Sequence, residues 1–211
     1  MKSLIEYINE SNNIKLMSDG KEHGFEYVDL GLPSGTMWAT CNVGATKPED
    51  EGLLFQFGRV DGYKYGDKDN QFKTDDLTTT SGKVYKKNEI LELEDDAVYV
   101  NMGGKWKMPT NDQLKELINN TTHNAVTING VQGMMFTSNI NRNQLFIPFM
   151  QGYWYDDRFV AAWSGTNIWS SQVHDSDINS ACSLDCNFCG YADVDYDSRS
   201  YGFSVRGVFR K

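Results

Sequence analysis

The chain has 211 residues and a net charge of −9, and its aromatic share of 13% is high. This length fits one domain with a short appendage, and 39% apolar residues can build a core, which excludes wholesale disorder. The negative charge would repel phosphate backbones, and no run approaches the ~18 apolar residues of a membrane span, so we expect neither nucleic-acid binding nor membrane insertion.

Residues 1–12 predict a short amphipathic helix, because apolar residues recur at helical spacing. A helix this short is marginal alone in water and needs a surface on which to pack. Two alternatives stay open: the helix docks on its own domain, or it anchors the chain to another protein. In the second case the partner-binding residues are Leu4, Ile5, Tyr7 and Ile8.

Residues 13–24 predict a linker with a turn at Asp19-Gly20. No signal peptide is recognisable, because Glu6 interrupts the start before an apolar stretch forms. We therefore expect synthesis and folding in a reducing cytoplasm, where the four cysteines are free thiols.

Short apolar runs bounded by turn residues predict many strands in the rest of the chain. They lie at 25–30, 37–43, 53–57, 125–128, 131–137, 145–149, 167–171, 179–184 and 203–209. Asn129-Gly130 predicts a tight hairpin between two of them. Residues 61–96 are polar and irregular, which predicts a long loop.

The clearest helix is predicted at 110–119. Thr110 can cap it, with Gln113 as the reciprocal capping-box partner. The residues that share its apolar face are Leu114, Leu117 and Ile118. One main helix among many short strands predicts an α+β domain.

A set of short motifs runs through this framework in a fixed order. They include YVDLGLPSG and WATCNVGA within 27–45, WKMPT at 106–110, FIP at 146–148, WSS at 169–171 and SYGFSV at 200–205. These motifs resemble the Fibrobacter succinogenes major paralogous domain, and the match covers about residues 25–208. The resemblance implies a C-type-lectin-like fold over 25–211, with short antiparallel strands, one main helix and long loops, preceded by the anchor helix. Gly207 stands where the family usually has proline, and 61–96 is particular to this chain.

That family occurs mostly on secreted or lipid-anchored surface proteins, whereas we expect no export signal here. Residues 1–8 are also similar to the N-termini of structural proteins in crAss-like Bacteroides phages. Together the resemblances imply a non-enzymatic virion protein, a phage head fibre or capsid decoration protein assembled in the host cytoplasm. It would be a homo-oligomer, attached to other capsid or fibre proteins through its N-terminal helix. Its lectin-like domain would face a bacterial surface glycan or protein.

Two other functions remain open. One is a bacterial surface adhesin or glycan- or protein-recognition module. The other is a cysteine-dependent enzyme of the formylglycine-generating fold type, for which Cys182, Cys186 and Cys189 are the only indication.

The cysteine spacing also matches a radical-SAM iron–sulfur motif, but too few residues follow Cys189 to build the barrel that this chemistry needs. A zinc site that includes Cys41 would have four ligands without the paired C-x-x-C halves of a zinc ribbon. We therefore predict no cofactor and no metal.

Asp193, Asp195 and Asp197 alternate in a way that suits calcium, yet Ser198 and Ser204 stand where an EF-hand loop has Gly and Glu. In a strand the three carboxylates would share one face, and a solvated hairpin is the favoured interpretation. The sugar-binding motifs of calcium-dependent lectins do not occur, so sugar binding does not follow from the fold.

Residues 152–158 are the best surface candidate, because consecutive aromatics in a turn-rich segment cannot all face one core. The candidate ligand-binding residues are Tyr153, Trp154, Tyr155, Asp156 and Asp157. The alternative is that Trp154 packs inward while the two tyrosines cover edges. The two adjacent aspartates point to opposite faces of an extended segment and cannot flank one glycosidic bond.

The three histidines, His23, His123 and His174, have no Ser or Cys partner in a recognisable nucleophile motif, so we predict no enzyme. Trp38, Trp106 and Trp169 belong to the framework motifs and are predicted to lie in the core.

Overall fold

The computed structural model describes residues 16–74, 77–161 and 165–211. Among them are two short α-helices, α1 (Ala97–Met102) and α2 (Asn111–Asn119), and a 3-10 turn at Leu93–Asp95. The first seven strands are β1 (Gly20–Glu22), β2 (Phe25–Asp29), β3 (Thr36–Asn42), β4 (Leu54–Gln56), β5 (Thr121–Ile128), β6 (Val131–Ser138) and β7 (Gln144–Pro148). The remaining strands are β8 (Gly152–Tyr155), β9 (Arg158–Ala161), β10 (Gly165–Val173), β11 (Ser180–Asn187), β12 (Ala192–Ser198), β13 (Gly202–Ser204) and β14 (Arg206–Arg210).

The predicted α+β architecture, a C-type-lectin-like domain with one main helix among long loops, is wrong. The described residues are mainly β and form three sheets. Part of the difference arises at 152–161, a hairpin where the sequence suggested a turn-rich segment, and at 180–198, where the strand predicted at 179–184 and the hairpin predicted about Asp193 to Asp197 form one long hairpin. The predicted N-terminal helix over 1–12, with Leu4, Ile5, Tyr7 and Ile8, lies outside the described residues.

The first sheet has the strand order β1-β2-β3-β14. Trp38 on the inner strand β3 lies opposite both Val28 and Val208, and these three buried side chains form a row that faces one core. Met37 and Phe209 point the other way, into a second core. Strand β1 falls within the range that the sequence suggested for the linker.

The seven-stranded second sheet has the order β12-β11-β10-β13-β8-β9, and β4 pairs with β13. Ile168 and Leu184 on one face pack into the core that Trp38 occupies, beneath helix α2 and the third sheet, β5-β6-β7. Trp169 and Phe203 on the other face pack into the second core. The second sheet is therefore covered over the middle of both faces.

The single strand predicted at 203–209 divides at Val205 into β13 and β14, which belong to different sheets. Arg206 lies fully buried at this junction. Its Nε donates to Asn42 Oδ1 at 2.7 Å and its Nη1 to the Ala39 carbonyl at 3.0 Å. The guanidinium thus ties the junction to β3.

Several local predictions are confirmed. Thr110 caps α2, and the capping box with Gln113 is present. Asn129 and Gly130, with φ of 49° and 84°, form the tight turn of the β5–β6 hairpin. The framework tryptophans are fully buried, and they are Trp38, Trp106 and Trp169. Within the described ranges, neither helix has the length and apolar character needed to traverse a bilayer.

Candidate functional site

The β8–β9 hairpin turns through Asp156 and Asp157, whose φ values are 49° and 59°. Two consecutive left-handed residues match the twist of a tight hairpin, and Asp tolerates this region better than most residues. The Asp157 carboxylate accepts a hydrogen bond from the Thr74 hydroxyl, which fixes the turn to the long loop. The two aspartates thus shape the hairpin and anchor its tip.

The candidate aromatics of this hairpin lie on opposite faces. Trp154 is 8% exposed and packs against Phe72 and Phe159, with ring centroids 5.4 and 5.3 Å apart. Tyr153 and Tyr155 lie on the other face because side chains alternate along a strand. The structure therefore separates Trp154 from the two tyrosines.

Tyr153 and Tyr155 form a three-ring cluster with Tyr201, which precedes β13. The centroid distances are 6.2 Å between Tyr153 and Tyr155, 5.8 Å between Tyr153 and Tyr201, and 5.0 Å between Tyr155 and Tyr201. Burial raises the pKa of Tyr201 to about 12, and the neighbouring Tyr155 hydroxyl also raises it. Tyr155 is 38% exposed and the other two are half-buried, so the cluster has a packed base and an open rim.

Asp197 on β12 lies beside these rings. Its Oδ2 accepts hydrogen bonds from Asn167 Nδ2 at 3.2 Å and from Ser183 Oγ at 3.0 Å. Burial raises the pKa of Asp197 to about 6, although the Ser183 bond lowers it. The Asp197 charge in turn raises the pKa of Tyr153 and of Tyr201, in addition to the effect of burial. We call Tyr153, Tyr155, Tyr201, Asn167 and Asp197 the tyrosine–aspartate face.

Further carboxylates extend this face along the β11–β12 hairpin. Asp185 lies directly opposite Asp193, and Asp195 lies opposite Ser183. Burial raises the pKa of Asp185, and repulsion from Asp195 and Asp193 raises it further. Like charges placed opposite one another destabilise a strand pair, so this row is a cost that the rest of the sheet offsets.

The position of β8 relative to this face depends on Glu51. Its Oε1 accepts a hydrogen bond from the Gln151 backbone N–H at 3.0 Å, immediately before β8. Burial raises the pKa of Glu51 to about 7, against the lowering effect of the bonds from Gln151 and Gly152. A perturbed carboxylate can mark a functional site, but its bonds show that this one positions a strand.

The prediction that Asp193, Asp195 and Asp197 share one strand face is confirmed. Asp197 is predicted from the sequence only as one of three alternating carboxylates, and Asn167 and Tyr201 are not among the predicted ligand contacts. The alternation of aspartates was a local signal for Asp197. No local signal indicated Asn167 or Tyr201. The elements of the site come together only in the folded sheet, and they are β8, β10, β12 and the 200–201 turn.

The cysteines do not converge. Cys182 and Cys186 are buried and lie four residues apart on β11, roughly 13 Å along an extended strand. Two cysteines that form a bridge have Cα atoms within about 7 Å. All four cysteines are free, and Cys189 is exposed. No cluster of three His, Cys, Asp or Glu side chains in the described part of the chain is arranged to hold a metal.

What the tyrosine–aspartate face can do follows from its groups. Partly exposed tyrosine rings offer flat apolar surfaces with polar tips. The neighbouring carboxylate and amide accept and donate hydrogen bonds. This combination suits a ligand with both an apolar face and hydroxyl groups. Comparison with protein-family models, with curated proteins and with solved structures found no match to this chain.

Proposed function

We propose that this chain is a non-enzymatic virion structural protein, a phage head fibre or capsid decoration protein, that binds a bacterial surface glycan through its tyrosine–aspartate face. The virion assignment and the glycan-binding assignment rest on different observations. The virion assignment is supported by the similarity of residues 1–8 to structural proteins of crAss-like phages, and the framework motifs support display on a surface. The binding assignment is supported by the arrangement of the face.

The observation that carries the binding proposal is the packed cluster of three tyrosines beside Asp197. The rings are 5.0 to 6.2 Å apart, so two of them can contact neighbouring parts of one sugar unit. Tyrosine supplies a large contact area at low conformational cost because it has only two side-chain torsions.

The hydrogen-bonding groups are fixed in advance. Asn167 and Ser183 hold the Asp197 carboxylate through bonds of 3.2 and 3.0 Å, and all three residues belong to strands rather than loops. Sites on strands hold their geometry more precisely than sites on loops. A preorganised face loses little entropy when a weak ligand such as a glycan binds.

Binding to intact host cells tests the proposal. Labelled full-length protein is titrated onto Bacteroides cells before and after mild periodate oxidation, which destroys sugar diols but leaves most protein surfaces intact. We expect saturable binding that periodate abolishes. Binding that survives periodate but is lost on protease treatment would indicate a protein receptor and contradict the glycan assignment.

A matched pair of variants locates the binding site. Tyr155→Ala should weaken binding on the order of tenfold or more, because it removes the most exposed ring of the cluster. Tyr196→Ala removes a tyrosine that is 55% exposed on the opposite face of β12, and should leave binding unchanged. Equal effects of the two variants would reject the assigned face. Mass spectrometry of purified particles tests the virion assignment separately, and absence of the chain from them would refute it.

A further inference from the structure

A groove of about 1110 Å³ lies between the 90–100 segment, the 105–110 segment and the end of β14, and it shares no lining residue with the tyrosine–aspartate face. Three large apolar side chains line it and are nevertheless exposed. Ile90 and Val100 are each 50% exposed, and Leu93 is 41% exposed. Exposed apolar side chains that share one concavity indicate a contact surface rather than scattered surface residues.

The groove also carries charges of both signs, which come from different chain segments. Glu94 accompanies the apolar residues of the first segment, and so does Glu92, although Glu92 Oε1 already pairs with Lys83 Nζ at 2.6 Å. Lys105, Lys107 and Arg210 come from the other two segments, and all three are exposed. A complementary occupant therefore has a few apolar side chains and both a cationic and an anionic part.

Residues 1–12 have this composition. Besides Met1 and Tyr7, their apolar residues are Leu4, Ile5 and Ile8, and their charged residues are Lys2, Glu6 and Glu10. The cation precedes the apolar residues, and the anions accompany and follow them. Lys2 can meet the acidic part of the groove while Glu6 and Glu10 meet its basic part. We propose that residues 1–12 of a second copy of this chain bind in this groove.

The described start of the chain favours a second copy over the chain's own segment. Glu22 Oε1 accepts a hydrogen bond from the Lys105 N–H at 3.3 Å, so the tip of the β1–β2 hairpin touches the groove rim. Leu16 instead packs on the third sheet against Ile128, Met135 and Phe146. Five residues separate Leu16 from Glu22, and only the last part of this stretch, Gly20–Glu22, is a strand, so Leu16 lies at most about 20 Å from the rim.

The chain's own segment would therefore have to turn back at Leu16. Residues 9–15 bridge at most about 27 Å between Ile8 and Leu16 when fully extended. Up to about 20 Å of that length would be used in returning to the rim, which leaves Ile8 close to the rim and lets only the residues before it enter the groove. A neighbouring copy has no such limit. Each copy would donate a segment and receive one, so the contacts would build either a two-fold dimer by reciprocal exchange or a head-to-tail ring or fibre.

The self-association of the full-length chain tests this inference, independently of glycan binding and of the virion assignment. Light scattering after size-exclusion chromatography is measured over a wide concentration range. We expect concentration-dependent oligomers. A monomer at every concentration would overturn the proposal, and so would oligomers that persist when Leu4 and Ile8 are both replaced by Asp.

The groove is tested by Val100→Asp, which places a carboxylate in the apolar contact. The matched control is Val84→Asp, because Val84 is also 50% exposed but does not line the groove. We expect Val100→Asp to raise the dissociation constant on the order of tenfold or more and Val84→Asp to leave it unchanged. Equal effects would place the contact elsewhere and overturn the proposal.

A labelled peptide of residues 1–12 gives a second readout. It is added to the full-length Leu4→Asp/Ile8→Asp protein, whose own segment is disabled. Saturable binding that Val100→Asp abolishes is expected. Absence of binding, or binding that Val100→Asp does not affect, would refute the assigned occupant.

Discussion

Replacement of Asp197 by Asn should stabilise the protein at neutral pH and have little effect in mild acid. Burial is the main reason that the pKa of Asp197 rises to about 6, compared with about 3.9 for an unfolded aspartate. Ionisation of this carboxyl is therefore less favourable in the folded state than in the unfolded state. The contribution of Asp197 to the free energy of unfolding is most favourable below pH 4, becomes less favourable between pH 4 and 6, and is constant above that range.

The size of the effect follows from the shift. A displacement of about two pKa units corresponds to roughly 3 kcal/mol, at 1.36 kcal/mol for each unit. Asp197 is only partly buried, so solvent screens some of this, and we expect about 1–2 kcal/mol at pH 7.5. Asn keeps an oxygen that can accept the bonds from Asn167 and Ser183, so the substitution removes the charge and spares the geometry.

The assay is urea unfolding of both proteins at pH 4.5 and pH 7.5, followed by tryptophan fluorescence. The difference between variant and parent isolates Asp197 from other groups that titrate in this range, such as Glu51. Asp61→Asn is the control, because it removes the same charge from an exposed position outside the sheets and should change stability by less than about 0.5 kcal/mol. If Asp197→Asn destabilises at pH 7.5, or if its effect is the same at both pH values, the electrostatic account is incorrect.

Three further substitutions test the framework by urea unfolding at pH 7. Asp96 caps α1, and its carboxylate also accepts a hydrogen bond from the Met108 N–H at 2.9 Å. Asp96→Ala should therefore lower the free energy of unfolding by about 2–4 kcal/mol, whereas Asp96→Asn should retain most of the stability. Gly207→Ala would place its Cβ 2.9 Å from Trp106 Cε3 and should cost about 1–3 kcal/mol, and a neutral result would show that this junction can relax. Thr110→Ala should cost about 1 kcal/mol through loss of the α2 cap, and no change would mean that the capping box contributes nothing measurable.

The elements that sequence reasoning predicted correctly are those whose signal is local. The capping box at Thr110 satisfies N–H groups within one helical turn, so the residues that define it are close in sequence. Asn129-Gly130 supplies two left-handed residues where a tight hairpin requires them. Trp38, Trp106 and Trp169 each lie in a short framework motif, and these local motifs were enough to predict their burial.

The elements that it missed depend on distant contacts. The β8–β9 turn uses Asp156 and Asp157 in left-handed conformations without a glycine, and the bond from Thr74 that helps to hold it joins residues 83 positions apart. The break at Val205 could not be predicted because the alternating pattern of apolar residues continues through it. Only the structure shows that β13 and β14 pair with strands of different sheets. The tyrosine–aspartate face could be predicted only in part for the same reason. Its residues are distant in sequence, and only the pairing of the strands brings them together.

The two faces of the β11–β12 hairpin differ in composition: one is apolar and the other carries carboxylates. This contrast is the strongest argument that the acidic face serves binding. Leu184 and Val194 lie opposite each other and pack towards a core, as stability alone would favour. On the other face Asp185 meets Asp193, and Asp197 is partly buried although burial disfavours its charge. Positions that break a local rule at a cost in stability are where function is expected. Asp197→Asn should therefore be more stable at neutral pH and bind glycan less tightly. If the variant were more stable and also bound glycan more tightly, the Asp197 carboxylate would contribute to neither stability nor binding.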